Sequence, residues 1–257
     1  MSVLDEIILG VRQDLAARRG PMNHILEAVA KAGPAKDSLS ALRGEQMHVI
    51  AEVKRSSPSK GNLAKISDPA QLALSYELAG ASAVSVLTES RQFGGSLDDL
   101  DLVRSAVSIP VLRKDFMVDE YQFYEARAHG ADIVLLIVAA LSSSQLRDFA
   151  DLTRTLGMQA LVEVHTEDEL IRALEIEPSI VGVNSRNLKT LEVNSHVFSE
   201  LIPRIPESII RVAESGISTA QDVGFAKNCG ANAVLVGEAL VKGSDVTLTM
   251  RTLLGQG

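Results

Sequence analysis

The chain of 257 residues has one cysteine, no tryptophan and only 4% aromatic residues. The single thiol, Cys229, excludes an intrachain disulfide and any cysteine-built metal site, and it reads as a small packed residue. Long hydrophobic runs are also missing. The longest uncharged apolar stretch, Ile133–Leu141, falls well short of the about 20 residues that span a bilayer. The first twenty residues scatter Asp, Glu and Arg among apolar positions, which does not read as a signal peptide. Positive charge is in deficit, 25 Lys and Arg against 33 Asp and Glu, for a net charge of −8. That excludes a general nucleic-acid or membrane-surface binder, although a local cluster of cations would still hold a small anion. A cytoplasmic protein is expected. No Gly-x-Gly-x-x-Gly follows any candidate strand and no Gly-x4-Gly-Lys-[Ser/Thr] occurs, which disfavours an open doubly wound sheet.

What is present is a repeat. Gly80-Ala81-Ser82 leads into an apolar run ending at Leu87, Gly130-Ala131-Asp132 into one ending at Ile137, and Gly230-Ala231-Asn232 into one ending at Val236. Gly157-Met158-Gln159 before Val164 is a looser fourth case. In each, a glycine suits the left-handed turn after a helix, and the continuous apolar run suits a parallel strand buried on both faces. Four more strands are expected at His48–Val53, Ile109–Arg113, Ile180–Val183 and Ile209–Val212. Helices are expected at Asp68–Leu78, Ser96–Val107, Asp119–His129, Ser142–Leu156, Thr166–Leu174, Ser218–Lys227 and Asp245–Leu254, several opening on a capping Asp, Ser or Thr. Eight strand–helix units over 210 residues predict an α/β fold of the (β/α)8 TIM-barrel type. Before it, Val3, Ile7, Ile8, Val11 and Leu15 make one helical stripe that ends at Gly20-Pro21, and a second helix covers Asn23–Lys31. A polar stretch then leads to about Met47. The expected organisation is a helical extension over 1–47 packed on a catalytic barrel over 48–257, one structural domain overall.

Chemistry in such a barrel gathers where strands end. The strand-end residues are Glu52 with Lys54, Lys114, Glu163, Asn184, Glu214 with Ser215 and Gly216, and Gly237 with Glu238. Glu52 and Lys54 share parity and point to one side of the sheet. Two lysines, three glutamates and an asparagine thus converge on one mouth, where charge is costly unless it is paired or used. A structural ion-pair network at the rim is the alternative to a functional site. The segment Arg55-Ser-Ser-Pro-Ser-Lys60-Gly61 is long and polar enough to form a lid, and Lys54, Arg55, Lys60 and Lys65 make a local basic cluster suited to an anion. Ser215-Gly216 and Gly237-Glu238 each precede a helix, an arrangement that holds phosphate on backbone N–H groups. His165 lies two residues after Glu163, but no third ligand at metal spacing follows, so it reads as a histidine at a helix start. His24, His48, His129 and His196 read as structural. A carboxylate pair acting on a glycosidic bond fits the glutamates alone but not the lysines and phosphate loops.

The segments Ile50–Gly61, Pro110–Phe116 with Tyr121-Gln122, Ala160–Leu170, Gly182–Val193, Ala213–Ile217 and Val234–Leu240 together resemble the indole-3-glycerol phosphate synthase family, in order and over nearly the whole chain. Two small departures are Ser185, where the family often has asparagine, and Ala213, where it often has serine. The resemblance implies a cofactor-free and metal-free ring closure of 1-(o-carboxyphenylamino)-1-deoxyribulose 5-phosphate, with loss of carbon dioxide and water. It implies Lys114 as general acid and Lys54 as the group that binds the carboxylate. Glu163, Glu52 and Lys54 become the acid–base candidates for dehydration. Asn184 becomes a hydrogen-bonding partner of the substrate, Glu214 and Ser215 orienting groups, and Arg186 a support for Asn184 or the carboxylate. Phosphate is expected on Ser57, Gly216, Gly237 and Glu238, with the Glu238 side chain turned away. On this reading Gly237→Val raises KM more than it lowers kcat. The expected partner is a small phosphorylated substrate, with no obligate protein partner. The alternatives are a related phosphate-binding barrel isomerase, a Schiff-base lysine, and a non-catalytic binder of phosphometabolites.

Overall fold

The computed structural model describes residues 2–188, 190–243 and 245–256. Met1 and Gly257, the outer limits of the two expected segments, lie outside the described residues, as do Lys189, within the Gly182–Val193 motif, and Ser244.

Eight parallel strands close into a barrel: β1 (His48–Val53), β2 (Ala83–Leu87), β3 (Val111–Lys114), β4 (Ile133–Ile137), β5 (Gln159–Val164), β6 (Ile180–Asn184), β7 (Ile210–Glu214) and β8 (Ala233–Val236). Each pairs with the next, and β8 pairs back onto β1. The strands are buried on both faces almost throughout, which is why their sequences run apolar instead of alternating. The four repeat glycines Gly80, Gly130, Gly157 and Gly230 all take positive φ, between 75° and 99°, so each helix-to-strand turn uses the conformation that an L side chain resists. Strand β3 starts at Val111 and not at Ile109, because Pro110 has no N–H to give a ladder. Strands β6 and β7 run further than expected, to Asn184 and Glu214, so these residues are the last of their strands.

Most expected helices appear within two residues of their expected limits, from Pro69–Leu78 to Val246–Leu253. Several short features escaped the sequence pattern, among them a short helix at Ser38–Ala41 capped by Asp37, another at His196–Leu201, a one-turn-plus helix at Glu238–Lys242, and an antiparallel pair Ser56–Ser57 with Gly61–Asn62. All are too short to show a period. The last of these folds the lid segment back on itself.

The extension packs on the barrel through α1 (Val3–Arg18), followed by α2 (Met22–Lys31). Ser2 and Asp5 form a reciprocal capping box at the start of α1. Its buried stripe is Leu4, Ile7, Gly10, Val11 and Leu15, rotated slightly from the expected one so that Val3 and Ile8 lie at its edge. Arg18 clamps α1 to the barrel by two parallel bonds to Glu125, at 2.9 and 3.0 Å. Glu125 in turn meets Arg113, which is fully buried and donates to Thr88, Asp115 and the carbonyl of Gln122. Arg113→Ala leaves the buried Asp115 without its cation and Glu125 with Arg18 alone, so urea unfolding should show a stability loss of about 3–5 kcal/mol. An unchanged midpoint would show that Asp115 needs no cation.

Candidate active site

A cavity of about 850 Å³ opens at the C-terminal ends of the strands. Period-2 alternation sends the side chains of Glu52, Lys114, Glu163, Asn184 and Glu214 into it, while Arg113 faces the helices instead. Cross-strand register sets their heights. Glu163 of β5 stands opposite Gly182 of β6, and Asn184 stands opposite Glu214 of β7.

At the centre is Lys114. Its ammonium donates to Glu163 at 3.3 Å and to Glu214 at 3.2 Å. Its side chain is 14% exposed, and the two carboxylates are 2% and 1% exposed. Burial works against the charge of Lys114, but attraction from Glu214, Glu163 and Glu52 outweighs it and holds the ammonium above its ordinary pKa. The two carboxyls diverge although they share one cation. Burial opposes ionisation of Glu163, yet Lys114, His165 and Asn184 hold it well below the usual carboxylate range. Burial pushes Glu214 up to about 7, with Lys114 pulling it down and Glu163 adding to the rise. The two carboxyls are thus pushed in opposite directions, Glu163 toward the charged form and Glu214 toward the protonated one.

Lys54 pairs with Glu52 on the β1 side of the cavity. Two close glycine contacts shape the carboxylates. A Cβ on Gly237 would lie 2.5 Å from Oε1 of Glu52, and one on Gly182 would lie 2.0 Å from Oε1 of Glu214. Asn184 accepts from the backbone N–H of Arg186 at 2.9 Å, and the Arg186 guanidinium donates to the carbonyl of Leu191, so Arg186 braces the loop that aims Asn184. Ser215 takes positive φ, 66°, an uncommon conformation for serine, and Gly216 follows at 71°. Ser185 donates to the Ser215 carbonyl at 3.0 Å and braces that turn.

Ser57, Gly216, Gly237 and Glu238 all line the cavity. The Glu238 carboxylate accepts from Lys60 of the lid at 2.7 Å and from Lys242 at 2.8 Å. Of the expected basic cluster, Lys54 and Lys60 line the cavity. Arg55 does not, being held by Asp99 and the carbonyl of Ile66 as an anchor for the lid, and Lys65 is exposed outside the cavity.

Sequence reasoning missed an apolar wall: Leu4 and Ile7 of α1, Phe93, Phe116, Leu188 and Leu191. It offers a face for an aromatic ring. The stripe of α1 was visible in the sequence, but nothing in a helical period says which surface the stripe will cover. His165, read as structural, lies against Glu163.

A sequence model of the family described as Indole-3-glycerol phosphate synthase matches residues 4–253. The chain is 55% identical over 264 residues to the indole-3-glycerol phosphate synthase of Kineococcus radiotolerans, covering 100% of this chain and 96% of that protein. It is 56% identical over 259 residues to indole-3-glycerol phosphate synthase 1 of Streptomyces coelicolor, with coverage of 100% and 96%. For the Mycobacterium avium indole-3-glycerol phosphate synthase, identity is 54% over 258 residues, with coverage of 100% and 95%. Among solved structures, a 3-hexulose-6-phosphate synthase superposes with a TM-score of 0.65 at 15% identity, covering 82% of this chain and 99% of that one. The N-acetylmannosamine-6-phosphate 2-epimerase of Clostridium perfringens superposes with a TM-score of 0.61 at 15% identity, covering 79% and 90%. At that identity these two structures speak for the barrel fold alone.

Proposed function

The chain belongs to the indole-3-glycerol phosphate synthase family, and from that premise we propose which of its groups carry the reaction. The enzyme is a carbon–carbon lyase that converts 1-(o-carboxyphenylamino)-1-deoxyribulose 5-phosphate to indole-3-glycerol phosphate, carbon dioxide and water.

The observation that carries the proposal is the Lys114 ammonium held between Glu163 and Glu214 at the centre of the cavity. Ring closure makes a bond from the aromatic carbon that bears the carboxylate to the ketone carbon. The ketone oxygen gains negative charge as that bond forms, and Lys114 donates it a proton. Its raised pKa guarantees the charge at neutral pH, and the growing basicity of the oxygen drives the transfer. Glu214, poised near 7 and 3.2 Å away, returns a proton to the amine. Lys54 binds the substrate carboxylate and turns the ring toward the ketone, and the apolar wall stacks the ring. Departure of carbon dioxide then restores aromaticity. For dehydration, Glu163 is the base, and Lys54 with Glu52 delivers the proton to the leaving hydroxyl. Asn184 orients a substrate hydroxyl and is itself aimed by Arg186. Ser215 orients through its strained turn. Phosphate is held by Ser57, Gly216, Gly237 and the N–H of Glu238, with Lys60 recruited from the Glu238 carboxylate.

This sequence of proton transfers needs no metal, cofactor, nucleic acid or second protein. The reading is of a cytoplasmic enzyme in which residues 1–47 and 48–257 act as one unit on a small phosphorylated substrate. The test is continuous fluorescence of the indole product, which rises over a low background because the protein has no tryptophan. Absence of that rise in a folded protein that binds the substrate overturns the assignment.

The contact between Gly237 and Glu52 changes what a substitution there should do. Phosphate binding alone would predict a rise in KM with kcat spared. A side chain at 237 must also push the Glu52 carboxylate away, so Gly237→Val is expected to raise KM and to lower kcat about tenfold or more. A variant with only its KM altered would show that Glu52 has no part in the chemical steps.

A further inference from the structure

One ammonium, Lys114, faces two buried carboxylates, and Glu163 and Glu214 approach it at almost equal distance. Lys114 alone does not decide which of them keeps its charge. What differs between them is that Glu163 is also met by Asn184, a neutral donor, and by His165, which can carry charge. His165 follows β5, and its side chain is 10% exposed. Its Nδ1 lies 2.9 Å from Oε2 of Glu169, and its own backbone N–H donates to the same oxygen at 2.7 Å. Its Nε2 lies 3.3 Å from Oε1 of Glu163, an ion contact without the alignment of a full hydrogen bond. A neutral imidazole has one N–H and would turn a bare nitrogen toward one of these carboxylates, whereas an imidazolium presents a donor to each. Burial opposes that charge, but the carboxylates of Glu163 and Glu169 outweigh it and push the ring up to about 10.

We propose that His165 is a positioning residue that breaks the symmetry of the Glu163–Lys114–Glu214 cluster: as an imidazolium clamped between Glu169 and Glu163, it makes Glu163 the ionised base and leaves Glu214 to carry the exchangeable proton. The inference rests on the role given above to Glu163. The groups facing Glu163 are Lys114 from β3, Asn184 from β6, Glu214 from β7 and His165. Those facing His165 are Glu163 and Glu169, and Glu52 of β1 acts on the cluster through Lys114. Among the described residues, only His165 adds a second cation to the Glu163 side. Remove it, and the two carboxyls become near equals that share a proton, so the base is blocked at a higher pH.

The test is the pH dependence of turnover together with the charge of the ring. In His165→Gln, which keeps a donor toward Glu163, the acidic limb of kcat/KM should move up by about one pH unit or more. At neutral pH kcat should fall about tenfold and recover as pH rises, with KM little changed. Glu169→Gln leaves the ring in place but weakens its charge, and should move the limb the same way by less. By proton NMR the His165 ring should stay charged from pH 6 to 9 in the wild type and should titrate within that window in Glu163→Gln. A His165→Gln profile lowered evenly at all pH values, or a wild-type ring that titrates near 6.5, overturns the proposal. Wild-type turnover in Glu163→Gln is a different failure: it removes Glu163 as the base and with it the reading on which this inference stands.

Discussion

Lys114→Ala should lose about 10²- to 10⁴-fold in kcat, the usual cost of removing a general acid. The loss has two sources. On the proposed mechanism the proton donor to the ketone oxygen is gone, and so is the cation that lets Glu163 and Glu214 sit 2% and 1% exposed at the centre of the barrel. Without it Glu214 protonates in preference to staying charged in an apolar site, and Glu163 is left leaning on His165 and Asn184. On the proposed mechanism the base for dehydration is then weakened and the acid for ring closure is absent. Binding of the phosphate should survive, because the groups proposed to hold it, on the loops after β1, β7 and β8, do not include Lys114. The expected outcome is therefore a folded, substrate-binding protein whose indole fluorescence barely rises. Turnover close to wild type would overturn Lys114 as the acid.

Gly182→Ala should be almost as damaging, although glycine has no chemistry to lose. Its added carbon would fall 2.0 Å from Oε1 of Glu214 and 3.1 Å from Leu161. No contact of that length is tolerated, and Gly182 lies mid-strand between β5 and β7, where the backbone has little room to yield. Glu214 must swing away, breaking its 3.2 Å contact with Lys114. Misplacement by about 1 Å at a catalytic group costs on the order of 10²-fold in rate. Overpacking of this kind also costs about 1–3 kcal/mol in stability. The double variant Gly182→Ala/Glu214→Ala separates the two effects: the carboxylate that clashes is absent, so the urea midpoint should recover while kcat should not. A single variant with normal kcat would show that the placement of Glu214 is immaterial to turnover.

Much of this site was legible in one dimension. Period-2 parity alone put Glu52 and Lys54 on one side of β1, and the strand ends named Lys114, Glu163, Asn184 and Glu214. Ser215-Gly216 and Gly237-Glu238 were readable as a candidate phosphate site from glycines placed before helices, whereas Ser57 came only from the family resemblance. Other features were not legible. Glu169 stands four residues after His165 in the first turn of the next helix, a spacing that lets both meet, but nothing local says that the ring's other nitrogen will face Glu163. Gly182 reads as an ordinary strand glycine until Glu214, 32 positions later in the chain, is brought against it. Arg55 looked as free as Lys60 until Asp99 was seen to hold it.

The sequence by itself determined the barrel, its extension and the set of polar groups at its mouth, because strand parity, helical stripes and glycine turns are properties of neighbouring residues. Only the tertiary structure decided which charges meet, which carboxyl is pushed toward its protonated form and which apolar side chains wall the cavity. Those depend on contacts of a few ångströms between residues far apart in the chain, and on a desolvation that exists only once eight strands have closed around them.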